Sequence, residues 1–110
     1  MQLVEYILSQ TAEVFARTPA ELTGRSRVRS IVEARQAAMW VIRQRYPSLS
    51  LETIGGAIGG RHYSTVMHAL AAVEQRAECR ADYRVQLQHV LERVSPSAGR
   101  PPASLARALA

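Results

Sequence analysis

The sequence predicts an all-α domain, a bundle of about six helices that contains a helix-turn-helix. Three observations carry the prediction. Apolar residues recur at three- and four-residue spacing through successive segments between Leu3 and Val94, as in helices that bury one stripe each. Two short helical patterns are separated by the pairs Gly55-Gly56 and Gly59-Gly60, and the second opens with the polar run Arg61-His62-Tyr63-Ser64-Thr65. Composition agrees, since 47% of the 110 residues are hydrophobic and only 5% aromatic, which suits one compact helical core.

Leu3, Val4, Ile7, Leu8, Thr11, Val14 and Phe15 form the apolar stripe of a first helix, with Glu5, Gln10, Glu13 and Arg17 largely outside it. A second, short helix follows from Thr18-Pro19-Ala20-Glu21. This run supplies an N-cap hydroxyl, a proline at the first helical position and a carboxylate three residues after the cap, and Gly24 marks the stop. Arg25-Ser26-Arg27-Val28-Arg29-Ser30 is too charged for a core. In an extended loop its three guanidinium groups project to one side, suited to a phosphate backbone or to a narrow minor groove of strongly negative potential.

The third helix is predicted from Ser30 or Ile31 to about Tyr46, burying Ile31, Ala34, Ala38, Val41 and Ile42 and leaving Glu33, Arg43 and Gln44 outside. Arg35 and Gln36 fall near its positive N-terminal end, where they are expected to meet phosphates. Trp40 is expected to pack in the core, not to stack on a base. Pro47 ends the helix because it disfavours an α conformation at Tyr46.

Ser50 is the expected N-cap of a fourth helix, Leu51 to about Ile58, with Leu51, Ile54 and Ile58 facing inward. Gly59 and Gly60 then make the tight turn, where positive φ is needed. In the fifth helix Val66, Ala69, Leu70 and Val73 form the core face, and Arg61, Thr65, His68 and Ala72 the opposite one. This is the predicted recognition helix. It continues to about Arg80, and a sixth helix places Tyr83, Leu87, Val90, Leu91 and Val94 inward. Residues 1–94 are thus expected to form the domain, and residues 95–110, rich in Ser, Pro, Gly and Ala, a flexible tail.

Charge is distributed unevenly. All fourteen basic residues are arginine, the formal net charge is +5, and residues 24–61 hold seven arginines against two glutamates. A positive segment leading through a helix-turn-helix is the electrostatic footprint expected for double-stranded DNA. The arginines sit among Ser, Gly and Val instead of flanking an apolar helical face, so a membrane partner is not expected. Cys79 is the single cysteine and the first twenty residues lack a signal-peptide pattern, which points to a soluble protein of the reducing cytoplasm, at the nucleoid.

Other chemistries find little support. His62 and His68 are six residues apart with no third ligand nearby, so no metal or other cofactor is expected. The glycine pairs lack the Gly-Lys-Ser/Thr of a phosphate-binding loop. Ser64, His68 and Cys79 do not assemble a nucleophile with a base and an orienting acid, so no enzyme is expected.

Three blocks carry a resemblance. Ala34-Arg35-Gln36-Ala37-Ala38-Met39-Trp40, Ser50-Leu51-Glu52-Thr53-Ile54-Gly55 and Gly59-Gly60-Arg61-His62-Tyr63-Ser64-Thr65-Val66-Met67-His68-Ala69 closely resemble, in order and approximate spacing, the signature blocks of the C-terminal DNA-binding domain of the bacterial replication initiator DnaA. The likeness runs from about Leu3 to Val94, and nothing upstream resembles the initiator's AAA+ ATPase. The fold is also similar to the Trp-repressor class of helix-turn-helix.

The resemblance implies binding at DnaA-box-like sites, with Arg27 in the minor groove and Arg35 and Gln36 on phosphates. The expected DNA-binding set is Arg25, Arg27, Arg29, Arg35, Gln36, Ser50, Leu51, Arg61, His62, Tyr63, Ser64, Thr65 and His68. Of these, Arg25, Arg27, Arg29, Arg35 and Arg61 are expected to supply about four or five phosphate contacts. The sequence departs from the family in several places: Trp40 stands where Tyr is frequent, the connection from Pro47 to Ser50 is one residue longer, the usual Asp-His opening of the recognition helix is His62-Tyr63, and the first of the two threonines that follow is Ser64. Loss of the aspartate is expected to remove an N-cap and a carboxylate able to accept from cytosine. The role implied is regulation of replication initiation or of transcription, with the initiator or other DNA-bound proteins as further partners. A ligand-responsive dimeric repressor and a protein-interaction module of the replication machinery are the alternatives, although no small-molecule pocket is evident.

Overall fold

The computed structural model describes residues 2–94, and within them the chain forms six helices: α1 Gln2–Val14, α2 Pro19–Thr23, α3 Arg29–Arg45, α4 Leu51–Ala57, α5 Tyr63–Cys79 and α6 Ala81–Val94. The expected tail, residues 95–110, lies outside the described residues. None of the described helices is long and apolar enough to cross a membrane.

Local chemistry sets most boundaries. The Thr18 hydroxyl accepts from the Glu21 amide at 3.2 Å while the Glu21 carboxylate accepts from the Thr18 amide at 2.8 Å, which closes the expected capping box. Ahead of it, α1 ends with Ala16 at φ 56°. The Arg17 amide reaches back to the Ala12 carbonyl at 2.7 Å and the Ala16 amide to that of Glu13 at 3.2 Å, so orphan carbonyls at the helix end are satisfied.

Helix α3 is the hub, packed against α1, α2, α4, α5 and α6. Ala34, Ala37 and Ala38 keep its surface narrow so that neighbours approach closely, and Met39, Trp40, Val41 and Ile42 fill the gaps between them. Trp40 is fully buried, with Nε1 donating to Glu74 at 3.3 Å. Because neighbours cover α3 on nearly every side, the expectation that Glu33 lies outside the core is wrong: it is 8% exposed. Its carboxylate accepts from Arg80 Nη1 at 2.9 Å and from Arg29 Nε at 3.3 Å, with Arg76 Nε at 3.6 Å.

Two further expectations change at the rim. Leu3, assigned to the inward stripe, is 59% exposed, and Leu70 packs only partly against the core, whose α5 side is built by Val66, Ala69, Val73 and Ala77. Periodicity gives the direction of a side chain, but there is less opposite it at the ends of a small bundle.

Tyr83 closes the interior between α3 and α6, its hydroxyl donating to the Glu33 carbonyl at 2.9 Å and accepting from Arg76 at 3.2 Å. Burial pushes its phenol from the ordinary 10.0 up to about 12, although the nearby Arg76 charge works against the rise. Below pH 10 both folded and unfolded chains hold the proton. Between about 10 and 12 only the unfolded chain releases it, so stability is expected to fall as pH rises through that window. Urea melts by circular dichroism across it should show the decline, and Tyr83→Phe should lack it.

Candidate nucleic-acid interface

The geometry begins with the turn between α4 and α5. Ser50 caps α4, its hydroxyl accepting from the Thr53 amide at 3.1 Å. At the other end Gly59 and Gly60 take φ of 75° and 69°, which reverses the chain, and the Arg61 amide donates back to the Gly55 carbonyl at 2.8 Å. Gly55 leaves no space for a side chain. A Cβ there would overlap the Arg61 carbonyl oxygen and press on Val66, so its missing side chain is what lets the two helices meet this closely.

Helix α5 starts at His62, which adopts an extended N-cap conformation with Nδ1 accepting from the Ser64 amide at 3.2 Å. The expected loss of the cap is therefore corrected: the imidazole takes the acceptor role that an aspartate would have. Tyr63, Thr65 and His68 are exposed and Ser64 is half-buried. Exposed Ser50 and half-buried Leu51 line a shallow cleft with Glu52 and Tyr63. The start of α4 and the start of α5 thus meet at this cleft.

Beside this surface runs the arginine segment. Arg25 and Arg27 are exposed in the loop between α2 and α3, whereas Arg29 is already the first residue of α3, one turn before Glu33. The three do not share one extended strand as expected. Helix formation sets in before Ser30, and the backbone carbonyl of Val28 accepts from the Ile31 amide at 3.0 Å.

Arg35 and Arg61 are held by hydrogen bonds within the chain. Arg35 is 6% exposed, and each guanidinium nitrogen donates to a carbonyl: Nε to Leu22 at 2.8 Å, Nη1 to Ser26 at 2.9 Å, Nη2 to Glu21 at 3.0 Å. Arg61 reaches from the turn to the same segment, donating to the carbonyls of Gly24 and Thr23 as well as to Ile58 at 2.7 Å. Both act as ties, Arg35 from α3 and Arg61 from the turn before α5, onto the end of α2 and the loop that follows it. Gln36 is half-buried between α3 and α5, its Oε1 accepting from Arg76 at 3.0 Å, which leaves its amide N–H groups as the donors.

The ties concentrate charge. Burial pushes the Arg35 guanidinium below its usual range, with help from Arg25, and burial followed by Arg35 and Arg25 does the same to Arg61. Carbonyls hold these cations without neutralising them. Among the described residues no ion pair involves Arg25, Arg27, Arg35 or Arg61, so positive potential accumulates beside the start of α5.

This separates presenting arginines from positioning ones, with different expected results on truncation. Arg27→Ala should leave the melting temperature within error of wild type, since Arg27 is exposed. Arg35→Ala, which strips three carbonyls of a charged partner, should cost about 2 kcal/mol and release the loop as well. Thermal melts alongside binding titrations distinguish the two.

One exposed side chain on this surface was missed from the sequence. Met67 is 47% exposed and shares a helical face with Ser64, His68 and Ala71. Their spacing of three, four and seven residues from Ser64 is the available signal, hidden because a methionine next to Val66 passes for core.

The family model described as bacterial dnaA protein helix-turn-helix matches residues 4–73, which includes α2 to α4 entirely and the first part of α5. The chromosomal replication initiator protein DnaA of Thermus thermophilus is 39% identical over 80 residues, 73% of this chain. Those residues span 18% of that relative's length.

Proposed function

This chain belongs to the family of the bacterial DnaA helix-turn-helix, a DNA-binding domain, and we propose from that premise that it binds double-stranded DNA sequence-specifically at DnaA-box-like sites, in the control of replication initiation. Helix α5 enters the major groove with Tyr63, Ser64, Thr65 and His68 toward the base edges. Arg25 and Arg27 lie along the adjacent backbone or minor groove, and Arg29 meets a neighbouring phosphate. The observation that carries this reading is the attachment of an arginine loop free of ion pairs to the turn of the helix-turn-helix through Arg61.

The number of presented cations gives the test. With Arg35 and Arg61 bound to carbonyls, about three phosphate contacts remain, so log K should fall against log salt with a slope of about −3, at about 0.9 per contact. Titrating fluorescent duplexes between low and moderate salt measures the slope, and competition with a DnaA box against a scrambled duplex measures specificity. A flat salt dependence would refute the electrostatic part, and equal competition by both duplexes the sequence-specific part.

A further inference from the structure

We infer that Met67 is a base-reading residue whose thioether side chain contacts the C5-methyl group of a thymine in the major groove. The inference rests on the DNA-binding reading above. It starts from position: Ser64, Met67, His68 and Ala71 repeat at i, i+3, i+4 and i+7, and this face lies opposite Val66, Ala69, Val73 and Ala77, which α5 turns into the core. Met67 thus stands between residues already assigned to base edges, not at the margin of the helix.

Its chemistry narrows what it can meet. Met67 is 47% exposed, and Tyr63, one turn earlier on the same flank, is 46% exposed. An apolar side chain facing the floor of a major groove would desolvate donors and acceptors with nothing in return at most base edges. Only thymine presents a methyl group there among the four ordinary bases, so burial of Met67 is favourable over that base alone. Methionine is suited to the contact because its unbranched, polarisable side chain adapts to a methyl at variable distance. Neither a capping role nor a core contact accounts for this residue. The preceding turn is capped by His62, and the inward positions are occupied by Val66 and Ala69.

A chemical substitution in the DNA isolates the methyl group. A preferred duplex is first selected from a random pool with the 110-residue chain, and each thymine in it is then replaced by deoxyuridine, which keeps every hydrogen-bonding group. At one position wild type should lose about fourfold in affinity, the value of one buried methyl group. Met67→Ala should bind the thymine and uracil duplexes equally at that position, and Met67→Leu should keep the preference. Circular dichroism melts establish that the variants are folded, as an exposed position allows.

A uracil penalty that is the same in wild type and in Met67→Ala at every position would overturn the inference, as would the absence of any penalty in wild type. Either result leaves the DNA-binding reading intact, since a selected duplex already exists. If the pool yields no preferred duplex at all, the sequence-specific reading fails, and this inference with it.

Discussion

Gly55→Ala is expected to lower stability by about 3 kcal/mol and to abolish sequence-specific DNA binding, while Gly56→Ala, one residue on, should stabilise the protein by about 0.5–1 kcal/mol. The two positions share a helix and a residue type, and differ in what faces them. A methyl group at Gly55 would coincide with the Arg61 carbonyl, part of the backbone that the Gly55 carbonyl itself holds in place, and would also crowd Val66. Relief requires the turn to open, which displaces the start of α5. At Gly56 nothing lies within 4 Å, so alanine brings only its better helix propensity. Thermal melts of the two variants should move in opposite directions, and a similar fall in both would mean that the close approach at Gly55 is not what sets the turn.

The second large effect is expected at Glu33. Its carboxylate is the shared partner of Arg29, Arg76 and Arg80, and Arg76 lies over the Tyr83 ring with its guanidinium carbon 4.9 Å from the centroid. Truncation to alanine would leave the Arg76 side chain, 19% exposed, without a counter-charge in the seam between α3, α5 and α6. Removing one member of a buried ion pair costs about 3–5 kcal/mol. The lower end, about 3 kcal/mol, applies here because Arg29 and Arg80 are open enough to be rehydrated. Glu33→Gln, which keeps an oxygen acceptor and loses the charge, should cost less than Glu33→Ala. Urea melts measure both, and equal losses in the two variants would show that the charge alone, not the remaining oxygen acceptor or the side-chain volume, is what the site requires.

Features governed by neighbouring residues were legible in the sequence. The capping box at Thr18, the Ser50 cap, the glycines at positive φ and the number of helices follow from short-range rules and emerged as expected. What escaped notice involves partners distant in the chain. Nothing around Arg35 or Arg61 announces that their guanidinium groups close on carbonyls 13 and 37 residues away, as in the contacts with Leu22 and Gly24. Glu33 failed for a related reason: helical periodicity locates its face, but only the packed bundle shows that α3 is covered on that side too. His62 is a different case, in which a substitution judged from the family pattern to be a loss is compensated by the acceptor lone pair of Nδ1.

On the DNA-binding reading proposed above, in which the arginine loop and α5 both contact the duplex, the paired arginine ties have a mechanical consequence. Arg61 joins the turn before α5 to Thr23 and Gly24, and Arg35 joins α3 to Glu21, Leu22 and Ser26, so loop and helix are jaws of a single caliper with no hinge of their own. A caliper set in this way measures distance along its target. Each base pair inserted between the two contacted stretches moves them about 3.4 Å apart along the duplex axis and rotates one relative to the other. The tolerated spacing should then be a single value, and the sites it selects should vary in letters at individual positions far more readily than in length.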